Sequence, residues 1–419
     1  MTATARPAAP PPVRSGLSRL RDVADLHRST TIIVVMVVLT VAMYFLPGFP
    51  PLSIVQQPGT WYDSFANAGV FVLLAMGLNV VIGMAGLLDL GYAAFFAIGA
   101  YAYAYSNSPF SHQDLPFLPM LVIGAFVAAV FGILLGAPTL RLCGDYLAIM
   151  TLGFGEIVPI VFQNLDEYTG GTNGIGGIYR PEPLPFLGSF TAITPFNYFI
   201  VMVVIVTVAM ILLYRLQDSR IGRAWNAIRE DELAAAANGI NTVTTKLLAF
   251  ALGATTSGLA GVFNASKLTI VSHDQFMFTV SFTVLAMVII GGMGNIWGVA
   301  VGAFVVYMIQ VVILKNINGV IETLGIPDFT LPLINLHVDL KNVPFVQFQF
   351  LLYGIALVLM MLLRPEGLFP SQRRRQELHI AEEYDEGGET SAVPVLPALV
   401  ESPAPQPDPS SSSAEEDRP

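Results

Sequence analysis

Between residues 220 and 240 the sequence reads RIGRAWNAIREDELAAAANGI, which gathers Arg220, Arg223, Arg229, Glu230, Asp231 and Glu232 in a chain only 12% charged. Such side chains can cap helices, form ion pairs and grip a partner surface. They include no nucleophile and no metal-ligating set. The rest of the chain supplies none either. Its five histidines (His27, His112, His273, His337, His379) lack metal-ligand spacing, and Cys143 is the single cysteine, so an intrachain disulfide and a zinc knuckle are excluded. No Ser/His/Asp grouping stands out. None of the four lysines, Lys246, Lys267, Lys315 and Lys341, follows the glycines of a phosphate-binding loop. The run TGGTNGIGG (169–177) lacks the Lys-Ser/Thr that would follow a phosphate cradle. Two more carboxylates stand in apolar surroundings, Glu156 within a hydrophobic run and Asp89 at the edge of one.

The elements that must position these residues are set by the composition. The 419 residues are 54% hydrophobic with a mean hydropathy of +0.65, whereas a soluble domain carries about 25% charged residues. This balance indicates an all-α, polytopic transmembrane helix bundle. Ten apolar runs, roughly 31–46, 64–83, 91–106, 117–140, 146–165, 194–214, 247–266, 276–294, 297–314 and 348–363, give about ten spans. About 20 helical residues cross the hydrocarbon core, so the short runs 91–106 and 348–363 are candidates for tilted, interfacial or re-entrant segments. With the N-terminus inside and sides alternating, sixteen Lys and Arg fall inside against four outside, which predicts cytoplasmic termini.

Residues 1–30 read as a mobile arm, 31–370 as the membrane domain with a cytoplasmic loop at 217–245, and 371–419 as a disordered, acidic, Pro/Ser-rich tail. The net charge of −10 belongs to that tail, since from Gln376 onward there are eleven Asp and Glu and one Arg. Gly253, Ser257 and Gly261 recur every four residues and predict close helix approach in lipid. The stretches IGMAG (82–86) and IGGMG (290–294) are a weak hint of internal duplication. Trp61, Trp297 and the tyrosines fit interfacial anchoring.

Within the charged loop, Asp231 can cap an N-terminus, the alanines 234–237 have the highest helix propensity and Gly239 suits a left-handed stop. A short helix near 231–238 is expected, with a small, flat alanine face able to seat in another protein's groove. The alternative is a solvated connector whose arginines only hold the loop inside. For Glu156 the readings are a pathway or gating residue, or a packing group bonded to backbone or Thr151. Gly153 and Gly155 beside it invite close neighbours. Asp89 reads as a cap on the next helix.

The ordered sequence favours force transmission. GRAWNAIREDELAAAANGI resembles the cytoplasmic loop of permease subunits of the branched-chain amino acid ABC transporter family. So do GLNVVIGMAGLLDLGYAAFFAIGAYAYA (77–104), RLCGDYLAIMTLGFGEIVPIVFQNLDEYTGGTNGI (141–175) and LRPEGLFP (363–370). The chain departs from the family pattern at Cys143 and Pro159, where basic residues are expected; Pro159 is expected to kink its span. The resemblance implies a non-catalytic permease in the bacterial plasma (inner) membrane, importing branched-chain or related small amino acids. It also implies a coupling helix involving Arg229, Glu230, Asp231, Glu232, Ala235 and Gly239. Glu156, Thr151 and Asn79 are the candidate pathway residues. The implied partners are a second permease subunit, two cytoplasmic ATPase subunits that bind ATP and Mg, and an extracellular or periplasmic substrate-binding protein contacted through the 169–177 loop. Membrane lipid surrounds the bundle, and no nucleic-acid partner, metal or cofactor of the chain's own is expected. Competing readings are a stand-alone secondary transporter or channel for a small polar solute, such as urea or a short amide, and a membrane scaffold whose tail recruits partners.

Overall fold

The computed structural model describes residues 28–48, 58–111, 113–139, 145–183, 188–191, 194–314, 329–331, 336–338, 345–364 and 367–369. The arm before residue 28, the tail after 370, Arg141, Cys143, Lys315 and Lys341 lie outside these residues. Each of the ten apolar runs falls on a helix: α1 (Arg28–Phe45), α2 (Pro58–Asn79), α3 (Ala93–Ser106), α4 (Phe117–Thr139), α5 (Asp145–Asn164), α6 (Pro195–Gln217), α9 (Thr242–Leu268), α10 (Phe278–Gly291), α11 (Ile296–Met308) and α12 (Gln349–Leu363). Two further helices, α7 (Arg220–Glu230) and α8 (Glu232–Ala237), occupy the charged loop. Arg28–Thr30, assigned to the arm by composition, already belong to α1. Seven helices among the described residues are long and apolar enough to cross a membrane. The chain is an all-α, multi-pass membrane protein.

Small residues place α9 at the centre. A Cβ on Gly258 would lie 2.6 Å from the Ala128 Cβ of α4, and one on Gly99 of α3 would lie 2.5 Å from the Gly258 Cα. Gly253 and Gly261 touch α2 and α3 in the same way. Backbones in contact maximise dispersion where lipid supplies no hydrophobic drive between helices. The peripheral helices differ: the apolar window of α1 is 17% buried against 83% for the α2 segment.

Tertiary contacts sort the helix ends into two groups. One end joins Arg28 to Asp218 (2.9 Å), Asn79 to Gly294, Trp297 to Tyr214 and Asn295 to Phe369. The other joins Lys267 to Asp63 (2.8 Å) and to Asn67 (2.6 Å), packs Tyr44 and Tyr62 edge-on against Phe196, and bonds the Tyr179 amide to the Asn107 carbonyl. At that second end β1 (Ile175–Gly176) pairs antiparallel with β2 (Ile270–Val271). A separate antiparallel pair, β3 (Phe329–Leu331) and β4 (Leu336–Val338), was not expected from the sequence.

The short run 91–106 has a physical cause. α3 begins inside the bundle, where the Ala93 amide donates to Ser281 Oγ (2.9 Å) from the first turn of α10; both residues are buried. The chain from Ala85 to Tyr92 therefore enters the bundle before the helix starts. Asp89 does not cap α3: its Oδ1 accepts the Gly91 amide (2.9 Å), and Ser281 satisfies the helix end instead. Trp61 does not present its ring to lipid as interfacial anchoring expects: it is buried and packs against Phe65. α5 continues through Pro159 without a break. IGMAG and IGGMG, weak as a repeat, are in contact: the Gly294 amide donates to Asn79 Oδ1 (2.8 Å), and a Cβ on Gly83 would lie 2.6 Å from the Gly294 nitrogen.

Candidate functional site

The charged loop folds as two helices set at an angle. Ser219 caps α7, its Oγ accepting the amides of Ile221 (3.2 Å) and Gly222 (3.3 Å). Gly222, Trp225 and Ile228 recur on one face and are buried, and Trp225 Nε1 donates to the Thr245 carbonyl (2.7 Å) at the start of α9. α7 is thus an amphipathic helix laid against the bundle. Composition left a solvated connector open as the alternative here, and the 222/225/228 spacing was the signal that could have revealed the amphipathic helix.

Asp231 then leaves helical geometry (φ −154°, ψ 111°) and caps α8, accepting the amides of Leu233 (2.8 Å) and Ala234 (3.0 Å). At the far end Gly239 adopts φ +85°. Its amide donates to the Ala236 carbonyl (3.0 Å) and that of Ile240 to Ala235 (3.1 Å). This paired C-terminal closure requires a left-handed residue, which glycine adopts without penalty. The observed Glu232–Ala237 helix, with caps at 231 and 238, coincides with the stretch expected from the sequence.

The charged residues divide by direction. Arg229 turns inward, donating through Nη1 to the Gly83 carbonyl (2.6 Å) and lying across Gly86, whose missing side chain makes room. Glu232 also turns inward and pairs with buried Lys246 in the first turn of α9 (2.5 Å). Ala235 is buried. Arg229, Glu232 and Lys246, with Asp145, Leu147, Ile228 and the turn at 85–88, line a cavity of about 240 Å³ between loop and bundle. Glu230, Asp231 and Gly239 are exposed, as are Ala234, Ala236 and Ala237. At the tip Leu233 is 83% exposed, a large apolar side chain held out between two anchors. Sequence reasoning passed over Leu233 and Lys246.

Comparison with known proteins bears on what this projecting helix serves. A family model described as the permease component of branched-chain amino acid transport systems matches residues 62–332. The chain is 36% identical over 328 residues to the Escherichia coli K12 high-affinity branched-chain amino acid transport system permease protein LivM, covering 74% of this chain and 70% of that protein. The chain belongs to this permease family. It is 24% identical over 349 residues to a probable branched-chain amino acid transport permease LivM of Methanocaldococcus jannaschii, covering 80% and 93%. It is 21% identical over 256 residues to the Salmonella typhimurium permease protein LivH, covering 58% and 82%. No solved structure matches it.

In this permease the three candidate pathway residues are apart. Asn79 is buried at the end of α2, holding the Gly294 amide. Thr151 is buried in α5, accepting the Leu90 amide (3.0 Å) and donating to the Ala148 carbonyl (3.0 Å). Glu156, which could have packed against Thr151, points away from it and is exposed. Gly155 packs on Gly91, but nothing lies within 4 Å of a Cβ placed on Gly153. A carboxylate at the bilayer centre costs about 2.5–3.5 kcal/mol on insertion scales, so its exposure on a spanning helix marks that face as different from a lipid-facing one. Among the described residues no group of three or more His, Cys, Asp or Glu could hold a metal.

Proposed function

We propose that this chain is the transmembrane subunit of an ATP-driven importer of branched-chain or related small amino acids in the bacterial plasma (inner) membrane. In this reading ten segments span the bilayer, and both termini and the α7–α8 loop are cytoplasmic. The chain hydrolyses nothing. ATP and Mg bind two separate cytoplasmic ATPase subunits, and the solute arrives on an extracellular or periplasmic binding protein at the end carrying 169–177. A second permease subunit completes the path.

The observation that supports this reading is α8: a helix of fewer than two turns, capped at both ends, tied to the bundle on either side and projecting Leu233. A short helix transmits displacement only when it cannot slide on its own support. The inward bonds of Arg229, Glu232 and Trp225 meet that condition, while Glu230, Asp231, Leu233 and the alanines form the surface for a groove on the ATPase. Closure of the ATPase dimer then moves α8, and α9 and the α2 turn, to which it is bonded, carry the motion into the bundle.

The test is reconstitution. Co-expression with the ATPase, binding-protein and second permease subunits should yield one complex whose ATP hydrolysis rises with loaded binding protein and leucine. Accumulation of solute by this chain alone in vesicles, with no ATPase present, overturns the reading. In the assembled complex, Thr172→Cys should react with an impermeant reagent from outside and Asn226→Cys only from the cytoplasmic side.

A further inference from the structure

The cavity beneath the charged loop has a chemistry of its own. At about 240 Å³ it is well above the roughly 10–15 Å³ that admits one water. Asp145 and Glu232 line it against Arg229 and Lys246, so its walls are neutral overall. Two of these four groups have bonding capacity left. Lys246 is 6% exposed, and Glu232 Oε1 is the one acceptor its ammonium meets among the described residues. An ammonium carries three donors, and burying unused ones is costly. Asp145, the first residue of α5, is exposed and makes no hydrogen bond or ion pair among the described residues. Leu147 and Ile228 supply an apolar wall.

We infer that this cavity binds one free amino acid of the transported class from the cytoplasm, and that its occupancy slows import. The inference rests on the permease reading above and adds a regulatory site to it. The chemistry selects a zwitterion. A ligand carboxylate accepts the remaining Lys246 donors, a ligand ammonium donates to Asp145, and an aliphatic side chain covers Leu147 and Ile228. A simple anion would meet the carboxylates of Asp145 and Glu232, and a simple cation would meet Arg229 and Lys246. Asp145 belongs to α5 and Lys246 to α9, so one ligand held by both ties these helices together beneath the loop. Import requires α8 to move under the closing ATPase dimer. A ligand that binds the arrangement seen here in preference to the displaced one holds the chain in it.

The test uses the full complex in proteoliposomes, with the ATPase subunits and ATP inside, loaded binding protein outside and unlabelled leucine in the lumen. Lumenal leucine should slow the uptake of labelled leucine. Leucine amide and 4-methylpentanoate, each lacking one charge of the zwitterion, should not. Asp145→Asn should keep the uptake rate seen without lumenal leucine and raise the concentration for half-inhibition about tenfold, the worth of one charged hydrogen bond in affinity. Leu147→Trp, which fills the cavity, should abolish the inhibition. No slowing by lumenal leucine overturns the inference, as does equal slowing of wild type and Asp145→Asn, or equal slowing by leucine and 4-methylpentanoate. Equilibrium dialysis of labelled leucine against the full chain in nanodiscs reads the site without transport: Asp145→Asn should retain less than wild type, and equal or no retention overturns the inference. Uptake that persists through any of these outcomes leaves the permease reading standing, whereas a complex with no ATP-dependent uptake counts against that reading.

Discussion

Glu232 Oε1 lies 2.5 Å from Lys246 Nζ, and this pair fastens α8 to the first turn of α9. Lys246 is buried and Glu232 is 42% exposed, so removing the carboxylate strands a buried ammonium. Glu232→Ala should weaken this joint by about 1–3 kcal/mol. Membrane insertion is expected to persist while ATP hydrolysis continues without matching uptake. Lys246→Met in the same chain removes the stranded charge and should restore part of the stability without the coupling. Unchanged coupled uptake in Glu232→Ala would refute the joint.

Leu233 carries a different expectation, because its side chain is apolar and stands 83% exposed. Burying a leucine in a partner is worth about 1.5–3 kcal/mol, or about ten- to a hundredfold in affinity. Leu233→Asp should insert normally and lose the ATPase subunits on purification. Retention of both subunits at wild-type stoichiometry would show that the groove lies elsewhere.

The crossing of α9 with α3 and α4 leaves no volume for a side chain. Gly258→Leu should abolish accumulation of folded protein, since its Cβ alone would fall 2.6 Å from Ala128 and overpacking costs about 1–3 kcal/mol or more. Gly354→Leu, in open space on α12, is the control and should accumulate normally, as measured by detergent size-exclusion profiles.

Asn79 joins the two glycine turns by accepting the Gly294 amide. Asn79→Ala removes the partner of that half-buried donor at a cost of about 0.5–1.5 kcal/mol. Detergent-solubilised complex should aggregate at a lower temperature, with solute specificity unchanged. A changed specificity at unchanged thermal stability would return Asn79 to the pathway.

Much of this was legible in the chain because local physics fixes it. Run length against bilayer thickness located ten helices, and Asp231 with Gly239 bounded α8 to within a residue, since caps and left-handed stops depend on neighbours in sequence. The inward turn of Arg229 and Glu232 was not legible. A charge cluster reads the same whether its members face solvent or the bundle, and the receptors, the Gly83 carbonyl and Lys246, are recognisable only once α2 and α9 stand beside α7 and α8.

By itself the sequence determined a multi-pass helical membrane protein of the permease family, and a capped helix between two spans. Only tertiary structure decided that α3 starts inside the bundle, that IGMAG and IGGMG meet, and that Glu156 faces outward from α5. The reason is range. Helix length, capping and hydropathy are set by residues a few positions apart, whereas which face a side chain presents depends on helices folded against it from as far as 215 positions away, the separation of Asn79 and Gly294.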